Sequence, residues 1–175
     1  FDLKMIQESA LCINGAKSIS CDPRLKETEV LRTENIETYI FPFLVTGETS
    51  SGLVPFSSEG TRSRVASSRS CPLEKGVEIS MHKSKSLEDI IKDAGSSRLD
   101  FLKLDVEGLE YEIITGSRDF IGKHLPFLFI SCYHLRKDFN DIPLLISSIN
   151  TEYKLAFHCL DDMGRDIILS ATPPE

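Results

Sequence analysis

At 175 residues, with 41% hydrophobic and 27% charged residues, the chain is sized for one domain, residues 1–175, with a core of its own. Its formal net charge of −7 excludes a general nucleic-acid binder, which needs clustered Lys and Arg to neutralise phosphates. No apolar run approaches the ~18–20 residues of a membrane span, and no basic segment followed by an apolar core marks a signal peptide.

In chain order, residues 1–11 carry Phe1, Leu3, Met5, Ile6, Ala10 and Leu11, a spacing that loosely fits one face of a short helix. Asn14-Gly15 is a turn or helix stop. Residues 17–21 read as a short strand ending at Asp22-Pro23, and Pro23 suits the first turn of a helix over 24–33. Residues 38–45 form the next strand, with Pro42 demoting it towards an edge or a bulge. A short extra strand is expected at 52–58, and an exposed loop over most of 57–71. Its basic residues Arg62, Arg64 and Arg69 read as a solvated Ser-rich stretch. Residues 77–82 alternate apolar and polar, as a half-buried strand does. Ser86 is an N-cap for a helix that reaches about Ala94 and stops at Gly95.

Residues 99–108, LDFLKLDVEG, are the centre of the chain. The apolar run predicts a strand buried on both faces, ended by Asp105, with Glu107 and Glu110 beside it and a turn at Gly108. A helix follows over 109–116, carrying on towards Ile121. Residues 125–132, LPFLFISC, form a second strongly apolar strand that runs into Tyr133-His134. Residues 142–149 are a helix with Pro143 in its first turn. Strands at 154–160 and 166–171 close the chain around a hairpin turn at 161–164. Strands alternating with helices and a closing hairpin predict an α/β domain whose sheet is mostly parallel, with one antiparallel strand.

Five cysteines, Cys12, Cys21, Cys71, Cys132 and Cys159, lie far apart with no C-x-x-C pair. Their odd number and spacing argue against a disulfide framework and against a zinc site, and point to a reducing compartment such as the cytoplasm. Cys21 and Cys132 sit in apolar runs and read as small core residues.

A strand that delivers carboxylates at its C-terminal end and leads at once into a helix is how an open α/β sheet presents a site. The same acids also suit a helix N-terminus, where the dipole favours negative charge. LDFLKLDVEGLEYEIITGS at 99–117 resembles the signature of FkbM-type S-adenosylmethionine-dependent methyltransferases. The likeness continues through ISCYHLRKDFNDIPLLISSINTEYKLAFH at 130–158, GAKSISCDPRLKETEVLRTENIE at 15–37 and VEISMHKSKSLEDIIKDAG at 77–95.

The resemblance implies a Rossmann-like methyltransferase sheet, mostly parallel with a C-terminal antiparallel hairpin. It also implies methyl transfer from S-adenosyl-L-methionine, commonly to a hydroxyl oxygen of a sugar or polyketide-like small molecule. It places Asp22 on the cofactor's ribose hydroxyls, where a carboxylate can accept two hydrogen bonds, and Thr46 near the adenine; the alternatives are an N-cap and a plain turn residue. Asp105 would hold the cofactor's amino group, act as base, or bind a divalent cation. Glu107 would point with Asp105 on an extended chain, and Glu110 would cap or pair. His134 is the first choice for the general base that a hydroxyl nucleophile needs. Tyr133 lines the pocket or packs. His82, His124 and His158 read as structural.

One departure stands out: the family's first strand and its Gly-rich turn of the type D-x-G-A-N-x-G are not found. The expectation is therefore an N-terminally incomplete piece, which alone binds S-adenosylmethionine poorly. The competing readings are a non-catalytic interaction or scaffold module of the same fold, and a metal-dependent hydrolase using Asp105, Glu107 and His134.

Overall fold

A computed structural model describes residues 16–21, 27–32, 36–47, 52–57, 64–65, 79–106, 108–160 and 166–175. Eleven strands and four helices are present among them. The strands are β1 (Ala16–Cys21), β2 (Glu29–Arg32), β3 (Ile36–Phe41), β4 (Leu44–Thr46), β5 (Gly52–Ser57), β6 (Arg64–Val65), β7 (Ile79–Ser86), β8 (Phe101–Leu104), β9 (Phe127–Ser131), β10 (Lys154–Cys159) and β11 (Ile167–Thr172). The helices are α1 (Leu87–Asp93), α2 (Glu110–Gly116), α3 (Arg118–His124) and α4 (Asp138–Ile149).

The fold is α/β, but its sheets are mixed rather than mostly parallel. The strands form three sheets, ordered β1-β3-β2, β4-β7-β5-β6 and β10-β11-β9-β8. Parallel pairs are β1 with β3, β4 with β7 and β8 with β9. The remaining pairs are antiparallel. The expected strand at 38–45 is two strands. The chain bends at Pro42, whose missing N–H cannot continue the ladder. β3 before it pairs with β1, while β4 after it pairs with β7.

The helix expected at 24–33 is corrected by β2, which pairs antiparallel with β3. All four β2 residues are exposed, so a helix there would have had no buried face to hold it. The Arg32–Glu37 ion pair at 2.8 Å ties β2 to β3 across their register. In β7 the buried positions are Ser84 and Ser86, while Ile79 and Met81 are exposed. The apolar side of the alternation thus faces outward. α1 agrees with expectation: Ser86 Oγ accepts the Asp89 N–H at 3.2 Å, and Gly95 follows at a φ of +63°, a turn that favours glycine.

β8 is buried on one face rather than two. Leu102 and Leu104 are buried, whereas Phe101 is exposed and stacks on Phe127 of β9. The helix expected to run on towards Ile121 is broken at Ser117 into α2 and α3. α4 begins at Asp138, four residues before the expected 142, so Pro143 lies inside it rather than in its first turn. Its buried stripe is Asp138, Ile142, Leu145 and Ile146, the i, i+4, i+7, i+8 spacing of a helix face on a core. The closing hairpin of β10 and β11 is observed, and its turn at 161–164 lies outside the described residues. The expected helix at 1–11, the turn at Asn14-Gly15 and most of the loop at 57–71 also lie outside them.

The main core gathers Leu104 of β8, Leu128 and Ile130 of β9, Leu169 of β11, Ile113 and Ile114 of α2, and Ile142 and Ile146 of α4. Leu104, Ile130, Leu169 and Phe157 lie abreast on adjacent strands, which sets the C-terminal ends of parallel β8 and β9 side by side. Gly47, just past β4, packs backbone to backbone on α2. A Cβ at Gly47 would overlap the Glu112 carbonyl, and one at Gly116 would overlap Gly47 itself. Among the described residues, no helix is long and apolar enough to cross a membrane.

Candidate active site

The site grows from the paired ends of β8 and β9. Asp105 is the first residue beyond β8, and Cys132, Tyr133 and His134 follow β9. Gly108 turns the chain between β8 and α2 with a φ of +100°, a conformation that side chains rarely adopt. Glu110 opens α2 and folds back over that turn. Its Oε1 accepts the Val106 N–H at 2.8 Å and its Oε2 accepts the Gly108 N–H at 3.0 Å. A carboxylate at this position also offsets the helix dipole. Glu110 is fully buried, so its charge depends on these fixed donors for solvation.

His134 stands between this buried acid and a wetter one. Its Nδ1 lies 2.8 Å from Glu110 Oε1, and its Nε2 lies 3.6 Å from Asp105 Oδ1. The His134 side chain is 7% exposed and that of Asp105 36%. Glu110 already accepts two backbone N–H groups, so it meets Nδ1 as an acceptor too. That fixes the proton on Nδ1 and turns Nε2 towards Asp105. The Tyr133 hydroxyl donates to Asp105 Oδ1 at 3.1 Å, and Lys103 Nζ lies 3.7 Å from Asp105 Oδ2. The Tyr133 and His134 rings pack with centroids 4.1 Å apart.

Asp105, Glu110 and His134 bring potential ligand atoms within 4.8 Å of one another. Both Glu110 oxygens, however, are engaged by N–H donors, and the 2.8 Å contact to Nδ1 leaves no room for an ion between them. The arrangement is that of a hydrogen-bonded acid–imidazole–acid chain, which can orient and charge-balance a proton acceptor.

Of the residues expected at the site, the structure brings Asp105 and His134 together. Thr46 ends β4, the strand whose following Gly47 packs on α2. Its Oγ1 is buried and has no hydrogen-bond partner among the described residues. Asp22 and Glu107 lie outside the described residues. His82 and His158 each have Nε2 2.7 Å from a serine hydroxyl, Ser80 and Ser170, and the His124 ring packs on Phe120.

Sequence reasoning missed Asp138. It opens α4 four residues after His134 and is fully buried. Neither carboxylate oxygen has a hydrogen-bond partner among the described residues. Burial, then the nearby Glu110 charge, pushes its carboxyl up to about 6, against the opposing pull of Lys137 and His134. The sequence pattern starts the helix at 142, which leaves Asp138 in the connecting stretch before it and hid it. The Cys132 thiol is pushed up to about 12 by burial and then by Asp138 and Glu110, which makes it inert as a nucleophile.

Comparison with known proteins bears on the family and the fold. No curated protein matches the chain. A crystal structure of similar fold is that of the methyltransferase FkbM from Methylobacillus flagellatus KT. It superimposes with a TM-score of 0.54 at 21% identity, covering 77% of this chain and 28% of that one. The chain thus spans little more than a quarter of that neighbour's length. The family described as "Methyltransferase FkbM domain" matches residues 13–155, and the chain belongs to this FkbM methyltransferase family.

Proposed function

We propose that the chain is a single Rossmann-like domain that transfers a methyl group from S-adenosylmethionine to a hydroxyl oxygen of a sugar or polyketide-like small molecule. The observation that carries this reading is His134, held by Glu110 at 2.8 Å with its other nitrogen at the rim where β8 and β9 end. A hydroxyl is a weak nucleophile at neutral pH and needs a base within hydrogen-bond reach. The cofactor, when bound, supplies an electrophilic sulfonium methyl.

His134 Nε2 would take the acceptor's hydroxyl proton while that oxygen receives the methyl released by the cofactor's sulfur, which would leave as a neutral thioether. Glu110, through Nδ1–H, and Asp105, near Nε2, balance the imidazolium that results. Asp105 is exposed enough to pass the proton on to water. Tyr133 fixes the Asp105 carboxylate through its hydroxyl and shields one face of the imidazole.

The chain's residues fit the cofactor at Thr46, whose buried hydroxyl lacks a partner among the described residues and suits the hydrogen-bonding edge of an adenine. Asp22 would accept from the ribose hydroxyls, Asp105 would meet the cofactor's amino group or the acceptor, and Glu107 would add its charge beside Asp105. The test is transfer of labelled methyl from S-adenosylmethionine to a panel of sugars and polyketide-like alcohols. Label in the hydroxyl ether of an acceptor supports the reading, and label in none contradicts it.

A further inference from the structure

We infer that β10 is a docking edge for a second copy of this chain: the two β10 strands pair antiparallel about a two-fold axis at Phe157 and join their sheets into one. The inference is independent of the reading of His134. β10 is the outermost strand of the sheet β10-β11-β9-β8, and among the described residues no strand lies beyond it. Five of its six residues are exposed, and Leu155 is half-buried.

Sheet edges are normally blunted by charged side chains, proline or a bulge. Edge strand β2 follows that rule, with Glu29 and Arg32 at its two ends. β10 does not. Between Lys154 and Leu160 it carries only Leu155, Ala156, Phe157, His158 and Cys159, and its pairing with β11 is unbroken from Lys154 to Cys159. Phe157 is 42% exposed, and its ring stacks at 4.3 Å on Phe139 of α4, which is 42% exposed as well. Leu160, just past the strand, is also exposed.

The hydrogen-bond alternation shows which backbone groups face out. The Leu160 N–H donates to the Asp166 carbonyl at 2.9 Å, one step past the Cys159–Ile167 pair. Alternate residues of an antiparallel ladder bond to the same neighbour. Ala156, His158 and Leu160 therefore turn N–H and C=O towards β11, and Leu155, Phe157 and Cys159 turn theirs towards the open edge. A second copy must match outward residues with outward residues, which puts the two-fold axis on a residue rather than between two. Centred on Ala156, the pairing would set Lys154 opposite His158 of the second copy. Centred on His158, it would set the two imidazoles opposite each other. Centred on Phe157, it sets Lys154 opposite Leu160, Leu155 opposite Cys159, Ala156 opposite His158, and Phe157 opposite itself. That register puts no two basic side chains together. It also gathers the two Phe139–Phe157 stacks on the α4 side of the joined sheet, where cross-strand aromatic pairs stabilise.

Analytical ultracentrifugation of the full chain tests this. At high concentration the parent is expected at twice its 19.6 kDa. Phe157→Lys, which sets two ammonium groups against each other, is expected at the single-chain mass, as is Phe157→Glu. An equimolar mixture of the two variants is expected to return to the double mass, because only the mixed pair sets Lys against Glu. A parent that stays monomeric, a Phe157→Lys variant that stays dimeric, or a mixture that stays monomeric overturns the inference. Residue-resolved hydrogen exchange on the parent decides the matter if the variants fail to fold. The Leu155 and Phe157 amides are expected to be protected at high concentration and to exchange on dilution, while Ala156 and His158, bonded to β11, stay protected throughout. A Phe157 amide whose exchange does not respond to concentration overturns the inference as well.

Discussion

Glu110 and His134 meet across two elements that are far apart in sequence: the first residue of α2 holds Nδ1 of a histidine beyond the neighbouring strand, at 2.8 Å. The acid is dry and the histidine nearly so, with side-chain exposures of 0% and 7%. One carboxylate thereby closes the turn after β8 and sets the tautomer of the proposed base.

Replacing Glu110 should therefore cost stability and function together. Glu110→Gln keeps the shape but puts an amide N–H where two backbone donors and Nδ1–H converge. A loss of about 1–3 kcal/mol is expected from the conflict among buried donors. Urea unfolding of parent and variant measures it, and a variant as stable as the parent would show that the carboxylate's bonds do not matter.

Asp138 makes the fold's stability depend on pH in an unusual direction. Its proton is held more tightly in the folded chain, up to about 6, than at the ordinary 3.8. Between those values the unfolded chain releases the proton first, so this group's contribution to stability falls as pH rises from about 4 to about 6 and is flat above. Subtracting the urea-midpoint profile of Asp138→Asn from that of the parent isolates the group. The difference should fall over that window; a difference that rises, or is flat, contradicts the assignment.

Gly47, just past β4, and Gly116 of α2 pack backbone to backbone. Ala at either places a methyl into backbone, which the contact cannot absorb without shifting the helix that carries Glu110. Overpacking of this kind costs about 1–3 kcal/mol. Thermal unfolding of Gly116→Ala should show the loss, whereas Gly122→Ala, whose Cβ would meet only the end of the Ile149 side chain at 3.4 Å, should be much milder.

Ser86 caps α1 through Asp89 N–H and also donates to the Asp89 carboxylate at 2.9 Å. Ser86→Ala should cost about 1 kcal/mol, the usual worth of a lost N-cap. Hydrogen exchange at the Asp89 amide would report it locally, and unchanged protection there would contradict the role.

Much of this was legible in the chain itself. β8 and β9 announce themselves as apolar runs stopped by polar residues, and α1 by Ser86 at one end and Gly95 at the other. Asp105 and His134 could be placed at neighbouring strand ends, because the order of strands and helices implied it. Pairing across distance was not legible. Pro42 marked a break but could not say that the chain changes sheets there. The helical propensity of the segment containing β2 lost to pairing with β3, a tertiary effect that local propensity does not contain. Strand pairing is likewise why the sheets are mixed. Glu110 looks from sequence like an acid at a helix start, and Asp138 falls in the connecting stretch before the helix expected at 142–149. Only the packing of α2 and α4 around the core shows that both are buried, and that Glu110 meets the His134 imidazole.

The most direct test of the central claim is methyl transfer by His134→Gln compared with the parent, using labelled S-adenosylmethionine and a hydroxyl acceptor found in the panel. If His134 is the base, transfer falls about 10²–10⁴-fold, the range for loss of a general base, while cofactor affinity measured by calorimetry is unchanged. Transfer by His134→Gln at the parental rate would contradict the account.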